Sequence, residues 1–148
     1  MQEYLGVLIA AARRRLKAAV VSRAAGWSLT PQQFWILIAL AEQAGASQSD
    51  VAERLRVDAP TISRSLAMLE ERHLVRVEVD PGDRRRTRVS LTPAGARIAA
   101  ELAPVAAEIR DTLIAGMTEP QISALREGLR RILSNLDRLE AGTQREQR

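Results

Sequence analysis

The chain has 148 residues, the size of one compact domain, and 46% of them are apolar, which is enough for a hydrophobic core. Aromatic residues make up only 3%, so the core must be aliphatic, which favours helices over a β-sandwich. The absence of cysteine excludes disulfides, thiol redox sensing and thiolate metal sites. The net charge is +4 and the pI is about 10.8. A basic pI is one mark of nucleic-acid binding, although arginine-rich usage can also reflect GC-rich coding DNA.

The first predicted helix covers residues 2–25, where apolar residues recur at the spacing of one helical face. Its arginines, residues 13–15, follow the apolar run LGVLIAAA, whereas a signal peptide carries its charges before such a run. The run is also far shorter than a membrane span. We therefore expect a cytoplasmic protein without a membrane segment. The predicted face consists of Leu5, Leu8, Ile9, Ala12, Leu16, Ala19 and Val20.

A second helix is predicted to begin at Pro31, because Thr30 before it is a good N-cap and proline suits the first helical position. Gly45 suits its C-terminal end. The residues predicted to face the core are Phe34, Leu37, Ile38 and Ala41, with Ile36 and Leu40 widening that face.

Two shorter helices follow, separated by the turn RVDA at residues 56–59. Ser47 and Asp50 form a variant of the capping box for the first, and Asp58 caps the second, with Pro60 in its first turn. A helix, a short turn and a well-capped helix are typical of a helix-turn-helix. The predicted inward-facing residues are Val51, Ala52 and Leu55 on the first helix and Ile62, Leu66 and Leu69 on the second.

A β-hairpin is predicted next, because valines alternate with polar residues over 75–80, and Val89 and Leu91 alternate with Arg88 and Ser90. Residues 80–83, Asp-Pro-Gly-Asp, match a tight turn with proline second and glycine third. Three adjacent arginines, residues 84–86, follow this turn. Such a charge run can simply keep an exposed hairpin soluble and block edge pairing.

Two long helices complete the chain. Thr92 is predicted to cap the first, which starts at Pro93 and should be kinked at Pro104. Gly116 and Thr118 separate it from the last helix, and the tail from residue 142 is expected to fray. The last helix carries an apolar stripe formed by Ile122, Leu125, Leu129, Ile132, Leu136 and Leu139.

The order of these elements, together with two segments, resembles the MarR family of bacterial winged helix-turn-helix repressors. The segment DVAERLRVDAPTISRSLAMLEERHLVRV is similar to the family's recognition unit, and DPGDRRRTRVSLTPAG is similar to its wing. In the wing, an Asp-x-Arg element leads into Leu-Thr-x-x-Gly at residues 91–95. The chain departs from the family at His73, where glycine is common, although histidine tolerates a left-handed helix end better than most residues.

The resemblance implies a mainly α fold with a small β-hairpin wing. Its winged helix-turn-helix lobe would span residues 29–92, between dimerisation helices at residues 1–28 and 93–148. Both ends of the chain would interleave with a second subunit, and the homodimer would bind a palindromic operator with half-sites about one helical turn (~10 bp) apart. The alternative is that the terminal helices pack on each other within a monomer.

The outer face of the second helix-turn-helix helix is small and polar and carries one cation, which suits the DNA major groove. Arg64 can fork onto guanine, Thr61 and Ser63 can bond phosphate or base edges, and Met68 can touch a thymine methyl. Pro60 completes this face. An ordinary solvated helix surface is the alternative interpretation.

The resemblance assigns Arg85 at the wing tip to the minor groove, where narrow A·T segments concentrate negative potential. Asp83 would hold the guanidinium group of Arg85 through a charge-assisted hydrogen bond. Arg84, Arg86 and Arg88 would contact phosphate or remain solvated.

Members of this family often release DNA when a small aromatic or phenolic molecule binds between the two lobes. Candidate ligand residues, which can equally be plain core or surface, are Trp27, Phe34, Trp35, Arg14 and Arg15. Sequence motifs for catalysis are missing, and the single histidine supports no metal site, so we expect no catalytic residues, no cofactor and no enzymatic activity. The alternative function is a winged-helix module that binds another protein rather than an operator.

Overall fold

The computed structural model describes residues 3–146, and the side chains of residues 3–142. Within them, six α-helices and one antiparallel hairpin follow one another, which confirms the predicted mainly α fold with a hairpin wing. The elements are α1 (Leu5–Arg23), a 3₁₀ turn (Ala25–Trp27), α2 (Pro31–Glu42), α3 (Gln48–Leu55), α4 (Ala59–Glu71), β1 (Val75–Asp80), β2 (Asp83–Leu91), α5 (Pro93–Ile114) and α6 (Glu119–Glu146).

The chain divides into two compact units between Arg110 and Asp111. The first unit contains α1 to α4, the hairpin and most of α5, and the second contains the end of α5 and all of α6. The backbone of α6 is helical up to Glu146, so the predicted fraying from residue 142 is wrong as far as the described backbone reaches. Residue 2, the predicted start of the first helix, lies outside the described residues.

The predicted helix caps of the helix-turn-helix are confirmed. Ser47 and Asp50 form a complete capping box, in which the Ser47 N–H donates to Asp50 Oδ2 at 2.8 Å and the Asp50 N–H donates to Ser47 Oγ at 3.1 Å. Thr30 caps α2 in the same way, with Gln33 as the reciprocal partner. These bonds satisfy backbone N–H groups that have no partner within the helix, and they fix where each helix begins.

Two helices end where the backbone turns left-handed at a residue with a side chain. Arg56 has φ 51° after α3, and His73 has φ 56° after α4, the left-handed helix end expected at His73. Gly45 also has a positive φ, of 74°, but α2 already ends at Glu42. The glycine therefore turns the connection to α3 rather than closing the helix.

The core of the first unit lies between α2, α4, the base of the hairpin and α5. Its fully buried large side chains are Val20, Phe34, Ile36, Leu37, Val51, Ile62, Leu66, Leu69, Val75, Val89 and Leu102. On α2, Phe34, Ile36 and Leu37 are buried as predicted, whereas Ala41, the last residue of the predicted face, is exposed. This helix is apolar almost all round. When a helix is covered on several sides, the spacing of its apolar residues does not show which face is buried.

The hairpin pairs Val75 with Leu91 and Val77 with Val89, in the alternation that the sequence predicts. Only its base is covered, however: Val75 and Val89 are buried, whereas Val79 is 60% exposed. The Val89 N–H donates to the carbonyl of Ala46 at 2.8 Å and fastens the hairpin to the connection before α3. The outer half of the hairpin projects away from the core.

A close backbone approach joins the end of α4 to the start of α5. The Thr92 N–H donates to the Leu74 carbonyl at 3.1 Å, the Thr92 hydroxyl donates to the His73 carbonyl at 2.6 Å, and the Gly95 N–H donates to the Thr92 hydroxyl at 3.0 Å. A Cβ atom on Gly95 would lie 1.8 Å from the Leu74 carbonyl oxygen. Glycine is therefore required here, and α5 continues through Pro104 up to Ile114.

Candidate nucleic-acid interface

Helix α4 has the two faces that the sequence predicts. Ile62, Leu66 and Leu69 are buried, and the opposite side leaves Arg64 and Met68 exposed. Pro60 and Ser63 are exposed as well, while Thr61 is half-buried. The buried residues fix the helix on the core, so the outer face is presented in a defined orientation.

A chain of hydrogen bonds joins three polar side chains at the start of α4. The Thr61 hydroxyl lies 2.8 Å from Asp58 Oδ2, and Arg64 Nη2 lies 3.1 Å from the Thr61 hydroxyl oxygen. Asp58 Oδ1 accepts from the Thr61 backbone N–H at 2.8 Å, which is the N-cap bond. The bonds from Thr61 hold the pKa of Asp58 below its usual value.

At the wing tip, Asp83 contacts Arg85 through the main chain. Asp83 Oδ1 accepts from the Arg85 backbone N–H at 3.0 Å. No ion pair joins the two side chains, so the prediction that Asp83 holds the Arg85 guanidinium is wrong. A carboxylate two residues before a backbone N–H closes a local turn more readily than it reaches the end of a long arginine side chain.

The arginines of β2 fall into two groups. Arg86 Nη2 lies 3.4 Å from both Ser47 Oγ and Asp50 Oδ2 at the start of α3, and Arg88 Nη2 lies 3.6 Å from Asp80 Oδ2. These two cations have carboxylate partners within the protein, although their side chains remain 55% and 52% exposed, so phosphate contact stays a prediction. Within residues 3–142, the guanidinium groups of Arg84 and Arg85 form no hydrogen bond or ion pair.

The link from β2 to α3 also stabilises the capping box. The pKa of Asp50 lies below its usual value, chiefly because the Ser47 hydroxyl and backbone N–H bond to the carboxylate, with a smaller effect of Arg86. The Gln48 N–H additionally donates to the Thr87 hydroxyl at 3.4 Å. The wing and the helix-turn-helix are thus connected by side chains as well as by backbone.

Arg72 is a positioning residue that sequence reasoning missed. Its Nη1 and Nη2 donate to the carbonyls of Ser28 and Trp27, each at 2.9 Å, and so tie the end of α4 to the turn after α1. The only hint in the sequence was a cation at a helix C-terminus, which is common without any such contact.

The structure does not bring the five predicted ligand residues together. Phe34 is fully buried and packs edge-on against Trp35, with ring centroids 4.9 Å apart, so it belongs to the core. The Trp27 indole N–H donates to Glu101 on α5 at 2.8 Å. Arg14 and Arg15 are exposed and are not part of the cavity lining that contains Trp35.

Trp35 does line a cavity of about 590 Å³ between α1, α2 and the end of α3. Its apolar wall includes Leu16 and Val57, and its cations are Arg13, Lys17 and Arg54. Arg14 and Arg15, the arginines predicted to meet a ligand carboxylate, are not among the residues that line this cavity.

No described cluster of three or more His, Cys, Asp or Glu side chains is arranged to hold a metal ion. Among residues 3–146, no helix is long and apolar enough to cross a bilayer.

A helix-turn-helix with a polar outer face, followed by a hairpin with two free arginines at its tip, defines a winged helix-turn-helix protein. The family model described as the MarR family matches residues 27–86. The chain is 31% identical over 133 residues to the HTH-type transcriptional repressor NicR of Pseudomonas putida, covering 90% of this chain and 84% of that protein. The chain thus belongs to the MarR family, whose members are transcriptional regulators and not enzymes.

Two solved structures support the same assignment. The MepR–DNA complex of S. aureus superposes with a TM-score of 0.79 at 26% identity, covering 91% of this chain and 99% of that one. The structure that describes regulation of DNA binding of Bordetella bronchiseptica BpsR by 6-hydroxynicotinic acid superposes with a TM-score of 0.75 at 32% identity. It covers 88% of this chain and 93% of BpsR.

Proposed function

We propose that the protein is a repressor that binds a palindromic operator as a homodimer, with α4 in the major groove and the wing tip in the minor groove. The observation that carries this proposal is the division among the wing arginines. Arg86 and Arg88 are paired with carboxylates, whereas the guanidinium groups of Arg84 and Arg85 at the tip have no partner in the described chain. Unpaired guanidinium groups on a projecting hairpin are suited to DNA phosphates and to a narrow minor groove.

The comparisons support the same function. NicR is named a repressor, and MepR has been crystallised with DNA. On α4, the polar face contains Pro60, Thr61, Ser63 and Arg64, with Met68 at its edge. In this proposal Arg64 contacts guanine and Met68 contacts a thymine methyl.

The homodimer is supported by apolar side chains that the single chain leaves uncovered. On α1 and just before it, Tyr4, Leu5, Val7 and Leu8 are 45–80% exposed. On α6, the exposed leucines are Leu125, Leu129, Leu133, Leu136 and Leu139. Contiguous apolar surface of this kind marks an interface, and helices at both ends of the chain carry it.

The cavity beside Trp35 supports regulation by a small anionic aromatic molecule. An indole face and apolar side chains suit an aromatic ring, and Arg13 and Lys17 suit a carboxylate, whereas Arg54 is already paired with Glu42. BpsR is regulated by 6-hydroxynicotinic acid, a molecule of this class. To release DNA, the ligand must bind better to a conformation that does not bind the operator.

Substitution of one wing arginine tests the proposal. In a fluorescence-anisotropy titration at fixed salt, Arg85→Ala should weaken operator binding by about tenfold, because a groove-reading contact is worth roughly 1–3 kcal/mol. Arg88→Ala is the matched control: it removes the same charge from the same strand, but from a residue already paired with Asp80. The loss of binding free energy that it causes should be less than about a third of the loss caused by Arg85→Ala.

Folding and dimer formation should be unchanged in both variants. Equal affinities of Arg85→Ala and the parent would remove the wing from the mechanism. A parent protein that binds no DNA would instead favour the alternative function, a winged-helix module that binds another protein.

A further inference from the structure

The hydroxyl of Thr61 has its hydrogen-bond polarity fixed by its two neighbours. A threonine hydroxyl offers one hydrogen and two lone pairs. Asp58 Oδ2, at 2.8 Å, belongs to an ionised carboxylate, which only accepts hydrogen bonds. The single hydroxyl hydrogen therefore points to Asp58.

Arg64 fixes the other side of the same oxygen. A guanidinium group only donates, so the bond from Arg64 Nη2, at 3.1 Å, occupies one lone pair of the Thr61 oxygen. One lone pair is left, and no hydrogen is left. In this arrangement Thr61 can accept a further bond but cannot donate one.

Asp58 itself is held firmly. Its Oδ1 accepts the N-cap bond from the Thr61 N–H at 2.8 Å while its Oδ2 takes the hydroxyl, so both oxygens are directed at the same residue. These bonds favour the ionised carboxylate at neutral pH. Helical side chains lean toward the N-terminus, which explains why Arg64 reaches back by three residues to Thr61.

We propose that Thr61 reads an exocyclic amine in the major groove, the N6 of adenine or the N4 of cytosine, on a base pair next to the guanine contacted by Arg64. Asp58 is the positioning residue that makes Thr61 an acceptor. This inference rests on the proposed operator binding by α4. Adenine and cytosine are the bases that present a donor in the major groove, whereas guanine and thymine present acceptors only.

Three substitutions test this inference through base preference rather than through affinity alone. Thr61→Val keeps the shape of the side chain but removes the hydroxyl, and Thr61→Ser restores the hydroxyl. Asp58→Asn keeps an equally good N-cap. Its amide oxygen takes the Thr61 N–H, so its NH₂ group faces the hydroxyl oxygen and donates to it, which frees the Thr61 hydrogen to point outward.

The assay uses an operator selected from random DNA with the parent protein. It measures the relative affinity of each protein for this operator with each base pair varied in turn. The parent and Thr61→Ser should prefer adenine or cytosine on one strand at one position by about tenfold. Thr61→Val should reduce that preference to about twofold or less, and Asp58→Asn should move it toward guanine or thymine. Ser134→Ala, which removes an exposed hydroxyl from α6 and leaves the winged lobe untouched, should leave the preference at that position unchanged.

Thermal melts show whether each variant is folded before its profile is compared. Profiles of Thr61→Val and Asp58→Asn that match the parent would overturn the inference while leaving operator binding in place. A parent that prefers no sequence at all would overturn the proposed function and the inference with it.

Discussion

Substitution of Gly95 by alanine tests how α5 is joined to the end of α4. The new Cβ atom would lie 1.8 Å from the Leu74 carbonyl oxygen, and Cβ atoms essentially never approach a neighbour closer than 3.0 Å. The obstacle is backbone, so it cannot rotate away. The first turn of α5 must therefore withdraw until the contact reaches at least 3.0 Å.

The cost of this movement follows from the bonds that it breaks. The bonds from Thr92 to the carbonyls of Leu74 and His73 stretch, at about 1 kcal/mol each. Overpacking adds about 1–3 kcal/mol. Alanine regains about 1 kcal/mol of helix propensity. We expect a net loss of about 3 kcal/mol in the free energy of unfolding, or a melting temperature lower by about 10 °C.

Gly128→Ala is the matched control for this experiment. Gly128 also lies within a helix, but a Cβ atom there meets nothing within 4 Å. The same substitution should therefore stabilise the protein by about 0.5–1 kcal/mol. Differential scanning calorimetry measures both variants. A Gly95→Ala protein that melts at or above the parent's temperature would refute the close approach of α5 to Leu74.

Three further predictions concern pH, oligomeric state and ligand. The pKa values of Asp50 and Asp58 are lowered by folding, so the stability that they contribute is present above the unfolded value of 3.8 and is lost as the pH falls through the folded values. In Asp50→Asn the melting temperature should fall less steeply below pH 3.8 than in the parent, and identical slopes would contradict this. Sedimentation velocity at micromolar concentration should give the mass of two chains, and Leu129→Glu should shift it to one chain; a monomeric parent would contradict the homodimer. Titration with 6-hydroxynicotinic acid should change the fluorescence of Trp35, and Lys17→Ala should weaken binding by about three- to tenfold. An unchanged spectrum in the parent would remove the cavity as a site for this ligand class.

Much of the fold was predictable because its signals are local. The N-caps at Thr30, Ser47 and Asp58 are each a short polar side chain placed before an apolar run, and all three form the expected bonds. The alternation of apolar and polar residues predicted the antiparallel hairpin. Helix caps and strand alternation depend on neighbours within a few residues, which a sequence displays directly.

The arrangement of the site was harder to predict because it depends on contacts between distant residues. Arg86 contacts Asp50, which is 36 residues away in the sequence, and Arg72 donates to the carbonyl of Ser28, which is 44 residues away. The resemblance singled out Arg85 but gave no sign that Arg86 has a carboxylate partner on α3. Asp83 was predicted to bind the Arg85 guanidinium, whereas it accepts from the Arg85 backbone N–H. Residue type and spacing do not show which cation finds a carboxylate elsewhere in the fold.

The exposure of the outer half of the hairpin was also not predicted from the sequence. Val79 continues the alternation of Val75 and Val77, yet it lies beyond the reach of the core. Alternation shows which side chains lie on the same face of a hairpin. The elements packed against that face determine how far along the hairpin the core extends.

Selection from a random pool of double-stranded DNA tests the central claim most directly. If the protein is an operator-binding homodimer, sequencing of the bound fraction should reveal a palindrome whose half-sites are centred about 10 bp apart. An Arg64→Ala protein should lose its preference at one base pair in each half-site. Recovery of no enriched sequence by the parent protein, under salt conditions where it is folded, would contradict the claim that α4 reads DNA.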